Sequence, residues 1–302
     1  MIQVKVPATS ANMGPGFDSL GVALGLYNRV EVEKSAKGLW IENIGKDSKE
    51  LPTDERHLVY KSIKKLYNEA GYPMEALHIK VHHEIPASRG LGSSAACIVG
   101  GIVAANELLG NPLNQKELLN LAINIEGHPD NVTPALLGGI VVSSKNNDKD
   151  ATNLQFSAPE ALEWTIAVPN VSLSTKAARE ALPQKVLFED AVKNIGNASL
   201  LVASLLLKDF NVLKAALQDN LHQIYRSKLL PELDYIFTEA RKRNVNQLYL
   251  SGAGPTLAYL SWCTKDEGRN NFLKLLEEAG DIRGTKWEVL NLKADNIGAV
   301  VE

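Results

Sequence analysis

Between Pro86 and Ala96 the chain reads Pro-Ala-Ser-Arg-Gly-Leu-Gly-Ser-Ser-Ala-Ala, residue types that suit an anion. Gly90 and Gly92 let the backbone approach a ligand and aim successive N–H groups at it. A helix starting at the serines directs its N-terminal partial positive charge into the same space. The small side chains of Ser93, Ser94, Ala95 and Ala96 leave room for a phosphate group, and a serine hydroxyl there can ligate Mg²⁺. The run is not a Walker A loop, because no Gly-Lys-Ser/Thr follows, and Ala95 stands where GxGxxG has its third glycine. No Gly-x-Ser-x-Gly elbow marks a serine nucleophile. Taken alone, the run has a competing reading as a strand-to-helix turn with a serine cap, and phosphate binding is the favoured one.

Further polar residues fall in four places. Asn12 and Asp18 lie in or just after a loop rich in Gly, Pro and Asn, where turn formation is the competing role. Glu126-Gly127-His128-Pro129-Asp130-Asn131 is dense in polar groups and precedes an apolar stretch. Thr175 and Arg179 stand one turn apart on a helix opening at Ser174. Arg226 closes His222-Gln223-Ile224-Tyr225-Arg226.

The elements that must position these residues follow from periodicity. Ile2, Val4 and Val6 alternate with polar residues, as does Arg29–Glu33, and the loop Pro7–Gly16 separates these extended runs. A helix is expected from Thr53 or Asp54, stopped by Gly71 and Pro73, and then a strand through Leu77, Ile79 and Val81. The helix after the glycine-rich loop ends near Gly110, and Asn114 with Glu117 forms a capping box for the next, to about Glu126. Gly138–Val142 reads as a buried strand, and Ser143–Asn153 as a hairpin tip. A strand at Trp164–Val168 precedes helices over Thr175–Leu182, Phe188–Leu207 and Leu230–Arg243. Strands at Leu248–Ser251, Thr256–Trp262 and Trp287–Leu292, with a helix over Lys265–Ala279, complete an α+β second domain.

The whole composition sets bounds. A chain of 302 residues with 45% hydrophobic and 22% charged residues can bury a substantial core. A formal net charge of -3 offers no basic excess for a nucleic-acid backbone, although a local site can still be basic. The two cysteines, Cys97 and Cys263, form no CxxC, and the apolar surroundings of Cys97 suit a buried thiol. The start of the chain alternates rather than forming a signal core, and no apolar run approaches the roughly 18 residues that span a bilayer. A soluble, cytoplasmic protein is expected.

Three segments in order carry a family resemblance. Pro7-Ala8-Thr9-Ser10-Ala11-Asn12-Met13-Gly14-Pro15-Gly16-Phe17-Asp18-Ser19-Leu20-Gly21 resembles the N-terminal motif of the GHMP kinases, in the form of the branch that acts on homoserine. Pro86–Ala96 resembles that superfamily's phosphate loop, and Leu250-Ser251-Gly252-Ala253-Gly254-Pro255-Thr256 its C-terminal glycine motif. Together they span almost the whole chain.

The resemblance implies an α+β, two-domain GHMP kinase fold. The N-terminal domain, residues 1–155, would be ribosomal-protein-S5-like with a left-handed βαβ unit, and residues 156–302 ferredoxin-like. ATP would lie along Pro86, Ala87, Ser88, Arg89, Gly90, Leu91, Gly92, Ser93, Ser94, Ala95 and Ala96, with Mg²⁺ on Ser94 and Glu126. The resemblance implies ATP-dependent phosphorylation of homoserine's hydroxyl, a step towards threonine. Asp18 would take the substrate's amine, Arg179 and Arg226 its carboxylate, and Asn12 and His128 would be further contacts. Thr175 would lie near the transferred group, with Asp130 and Asn131 beside the accepting hydroxyl. Several GHMP kinases carry an aspartate base where Asn131 stands here, and an amide cannot take a proton. The base is therefore left open, with Asp130 the nearest candidate. The resemblance also implies a homodimer, with neither membrane nor nucleic acid as partner. The competing expectations are a GHMP kinase for a mevalonate-like acid or a sugar, and a non-catalytic sensor on the same fold.

Overall fold

The long strands β1 (Ile2–Ala11) and β2 (Leu20–Lys34) pair antiparallel from Ile2↔Val32 to Ala11↔Gly21, with a register shift between Pro7 and Ala8. The computed structural model describes residues 1–145, 151–262 and 266–302. β3 (Leu39–Gly45) and β4 (Leu77–His83) are parallel neighbours joined through α1 (Leu58–Glu69), a βαβ unit as the resemblance implied. α2 (Ser93–Leu108), α3 (Gln115–Glu126) and α4 (Pro129–Leu137) follow, then the hairpin β5 (Ile140–Lys145) and β6 (Ala151–Phe156). These strands form one sheet, with β5 on the far part of β2.

The second sheet holds β7 (Glu163–Pro169), β8 (Leu248–Leu250), β9 (Leu257–Ser261) and β10 (Trp287–Leu292) in the order β10-β7-β9-β8, all antiparallel. Between β7 and β8 run α5 (Thr175–Glu180), α6 (Phe188–Leu207), α7 (Leu213–Ala216), α8 (Gln223–Arg226) and α9 (Pro231–Lys242). α10 (Glu267–Arg283) connects β9 to β10, giving the ferredoxin-like order of strands and crossings. β11 (Val300–Val301) returns to the first sheet beside β1. The division drawn at 155/156 cuts β6 one residue before its end, and the last strand of the second stretch belongs to the first sheet.

Two neighbouring stretches link the sheets. Ala158 N donates to Asn296 Oδ1 (2.7 Å), Asn296 Nδ2 to the Ala158 carbonyl (3.3 Å), and Lys293 Nζ to the carbonyls of Glu160 and Leu162 (3.0 and 3.1 Å).

Sequence pattern explains the layering. α2 is apolar all round and lies against β1, β2 and the neighbouring helices; Ala95, Ala96, Ile98, Val99 and Ile102 are buried there with Val6 and Val30. Each large aliphatic side chain so buried contributes about 1.5–3 kcal/mol. On the second sheet, Leu233 and Ile236 of α9 and Phe272 and Leu275 of α10 pack on Leu250 and Tyr259. Among the described residues no helix is long and apolar enough to cross a membrane.

Several expectations change. Pro7–Ala11 is strand rather than loop, because a bulge accommodates Pro7 and pairing with Leu24–Gly21 continues beyond it. α1 begins at Leu58, not near Asp54: Asp54 closes a turn by accepting from Arg56 N, and His57 is the cap. α4 was not anticipated, since Pro134 and the polar start obscure its period. The 143–153 hairpin is seen through β5 and β6, its tip at 146–150 lying outside the described residues, as do Cys263 and the expected helix start at Lys265. Cys97 is buried as expected.

Candidate active site

β4 leads into the phosphate loop, where Ser88, Gly90 and Gly92 adopt φ of 54°, 78° and 69°. A Cβ on Gly92 would collide with Thr9 Oγ1, and one on Gly90 with the Ser251 carbonyl, so close approach as well as backbone conformation requires glycine there. The loop is anchored by both other glycine motifs. Thr9 N donates to the Leu91 carbonyl (3.1 Å), Thr256 N to that of Arg89 (3.3 Å) and Ser251 Oγ to that of Gly90 (2.6 Å). α2 starts at Ser93 with no side-chain cap from Gly92, so its first amides can serve an anion.

The predicted loop residues divide. Ser88, Arg89, Gly90, Gly92, Ser93 and Ser94 line a cavity of about 310 Å³. Pro86, Leu91, Ala95 and Ala96 are buried behind them, and Ala87 N donates to Asp47. Arg89 lines the cavity, but its guanidinium is engaged by the carbonyls of Ala87 (2.6 Å) and Pro169 (3.2 Å) and by Asp47 (3.4 Å), a framework role.

The acidic wall arises where α3 ends at Gly127 (φ 95°) and Pro129 opens α4. Ser94 Oγ donates to Glu126 Oε2 (2.9 Å). Burial raises the pKa of the Glu126 carboxyl, and Asp130 adds to this against His128 and the serine. Asp130, 3% exposed, accepts at Oδ1 from Asn131 Nδ2 (3.3 Å) and pairs there with His128 Nδ1. Burial works against a charged His128, but the Asp130 hydrogen bond and the charges of Asp130 and Glu126 leave its pKa raised. Asn131 Oδ1 accepts from Thr9 Oγ1 (2.8 Å), fixing its amide against the phosphate loop.

The basic residues adjoin this wall, with a carboxylate oxygen of Asp18 within 4.8 Å of a His128 ring nitrogen and an Asp130 carboxylate oxygen. Arg179 Nη1 and Nη2 donate to Asp18 Oδ2 (3.0 Å) and Oδ1 (2.8 Å), a bidentate pair that raises the arginine's pKa. Arg226, 2% exposed, donates from Nε to the Ala178 carbonyl (3.1 Å) and from Nη1 to that of Gly252 (3.1 Å). Burial, then the charge of Arg179, lowers its pKa to about 10, so it stays protonated at neutral pH. Asn12 (φ 69°) uses both ends of its amide, donating to the Gly252 carbonyl (2.8 Å) and accepting from Asp18 N (3.0 Å). It ties the first motif to the third and shapes the Asp18 turn. Ser174 caps α5, placing exposed Thr175 at its start with Arg179 one turn on.

Asn12, Asp18, Glu126, His128, Asp130, Asn131, Thr175, Arg179 and Arg226 all line the same cavity as the phosphate loop. Three neighbours were not anticipated: Thr9, which holds Asn131, and Phe17 and His222, which flank the arginines. Phe17 adjoins Asp18 in the quoted motif, and His222 lies one helical turn before Arg226; those spacings were the only signal. The oxygen donors of Ser94 and Glu126, with Asp130 adding negative charge nearby, suit a hard divalent cation.

Residues 57–139 match the family described as the GHMP kinases N terminal domain. The chain is 43% identical over 301 residues to homoserine kinase from Clostridium botulinum (strain Kyoto / Type A2), covering 100% of this chain and 98% of that protein. It is 43% identical over 304 residues to homoserine kinase from Caldicellulosiruptor saccharolyticus, covering 100% and 96%. The crystal structure of homoserine kinase from Cytophaga hutchinsonii superposes with a TM-score of 0.86 at 32% identity, covering 100% of this chain and 97% of that one. With full-length identity at this level and one cavity uniting all three glycine motifs, the chain belongs to the homoserine kinase family of the GHMP kinases.

Proposed function

We propose that this chain transfers the γ-phosphoryl group of ATP to the side-chain hydroxyl of L-homoserine, as its relatives' names indicate for them. The observation that carries the reading is the lining of one cavity, which phosphate-loop residues Ser88, Arg89, Gly90, Gly92, Ser93 and Ser94 share with Asp18, Arg179 and Arg226. Backbone amides at the start of α2 receive the phosphates. Ser94 and Glu126 would hold Mg²⁺, which supplies charge neutralisation across the phosphate oxygens when bound. Asp18 receives the substrate's ammonium group, and Arg179 with Arg226 its carboxylate. The Asp18–Arg179 bonds use Nη1 and Nη2 and hold both charges in place before the zwitterion arrives.

His128, held by Asp130, closes the corner beside Asp18, and Thr175 faces the transferred group. Asn131, fixed by Thr9, positions the accepting hydroxyl. A loose transition state demands little of a base, so correct placement and charge stabilisation carry most of the rate. Asp130 keeps Oδ2 outside the bonds described and is the nearest acceptor for the hydroxyl proton. The family resemblance carries the further proposal of a cytoplasmic homodimer.

Purified protein offered homoserine, mevalonate and galactose in turn, with ADP release followed, tests the assignment. ADP should appear with homoserine alone. Faster turnover of mevalonate would replace the amino acid by an acid without an amine, and nucleotide binding without turnover of any of them would make the chain a sensor.

A further inference from the structure

Arg179 and Arg226 repel each other, yet both face one small cavity. Asp18 pairs with Arg179, but the ring that the two guanidinium groups share is uncharged. The Phe17 ring centroid is 5.8 Å from Arg179 Cζ and 5.0 Å from Arg226 Cζ, within cation–π range of both. The His222 ring, fully buried, lies 5.2 Å from the Phe17 ring at a 31° tilt. His222 Nε2 is 2.8 Å from the Gly14 carbonyl, which can only accept, so that nitrogen carries the proton. In the neutral ring Nδ1 is then a bare acceptor, 3.4 Å from Arg226 Nη1. Burial, reinforced by Arg226 and opposed by Asp219, keeps the ring neutral. The carbonyls of Gly252 and Ala178 take further donors of Arg226, leaving Nη2 outside these bonds.

We infer that Phe17 and His222 form a neutral shelf that holds the two guanidinium groups close together as a clamp for the substrate's carboxylate, making both specificity-determining positioning residues. The inference rests on the carboxylate role proposed above for Arg179 and Arg226. The Phe17 face stabilises both cations and His222 Nδ1 stabilises that of Arg226 without neutralising either, whereas a second carboxylate in addition to Asp18 would compete with the ligand. His222 also fixes the rotation of the Arg226 fork, and so the direction of its remaining N–H groups. Sequence spacing alone could not show this, because Phe17 and Arg179 are brought together only by the fold.

The test compares kcat/KM for L-homoserine with that for 3-amino-1-propanol, which keeps the amine and the hydroxyl but lacks the carboxylate. Phe17→Leu preserves apolar bulk and removes the aromatic face. Each cation–π contact is a factor of about 2 to 30 in an equilibrium constant, so the homoserine preference should fall about tenfold, mainly through homoserine KM, with the KM for ATP unmoved. Phe17→Tyr should restore the preference, which a packing role in the leucine variant's place would not require. His222→Gln should narrow the preference likewise if it folds; the half-buried Phe17 pair decides the matter if it does not. A Phe17→Leu enzyme that keeps the wild-type preference within twofold overturns the shelf. Equal use of both compounds by the wild type overturns instead the carboxylate role of the arginines.

Discussion

Asp18 and Arg179 meet through two near-parallel hydrogen bonds, although their side chains remain 35% and 38% exposed. At that exposure the pair is worth about 1 kcal/mol or less to stability, so little of the fold depends on it. Arg179→Lys should therefore leave the melting temperature nearly unchanged. It should raise the homoserine KM by about tenfold or more, because an ammonium point charge cannot reproduce the planar fork. Steady-state kinetics with varied homoserine at saturating ATP reads this directly, and an unchanged KM removes Arg179 from the binding site. Asp18 and Arg179 were legible because each sits in a recognisable local pattern. Thr9, Phe17 and His222 were not, because their roles depend on contacts such as Thr9 with Asn131, 122 positions away. Arg89 shows the converse: a cation in a phosphate motif reads as a ligand, but the fold assigns its guanidinium to two carbonyls and Asp47.

The elements that present the site are a loop with left-handed glycines, a helix start and a short helix entered through proline. Gly92 and Gly71 offer a controlled comparison, since both have positive φ, 69° and 74°, but only Gly92 has atoms where a Cβ would go. Gly71→Ala should cost about 1 kcal/mol, the left-handed penalty alone, with nucleotide affinity unchanged. Gly92→Ala should cost more stability and also weaken ATP binding severalfold or worse, because the loop must move away from Thr9. Thermal unfolding with nucleotide titration separates the two, and equal ATP affinity in both variants would show that the loop's shape is not set by this approach. The α3 start was readable from Asn114 and Glu117, whose capping box forms as expected and is worth about 1 kcal/mol. α4 was hidden because its apolar residues face several neighbours at once, which erases a clean 3.6-residue period.

Across the whole molecule, stability should depend on pH through two buried histidines. His57 and His83 are 2% and 3% exposed, and the Nε2 of each lies 3.0 Å from Asn43 Oδ1. Burial, joined for His83 by the charge of His57, lowers each pKa to about 4. An unfolded histidine titrates near 6.5, so on acidification the unfolded chain takes up these protons first. Their contribution is complete above about pH 6.5 and is lost progressively as pH falls towards 4, on the order of 2–3 kcal/mol for each. Urea midpoints measured from pH 7.5 to 4.5 should fall across that window, and a flat profile would contradict it. At this scale the two-domain arrangement was legible from the order of the three glycine motifs, whereas the return of β11 to β1 was not, because two residues carry too little pattern. The paired crossings between the sheets, joined by Asn296, Ala158 and Lys293, act as one double-width strap rather than two separate tethers. Ser251 and Thr256, in the turn between β8 and β9, hold the phosphate loop from the second sheet as well. Parting the two halves would therefore have to break the bonds of the strap and those to the phosphate loop together.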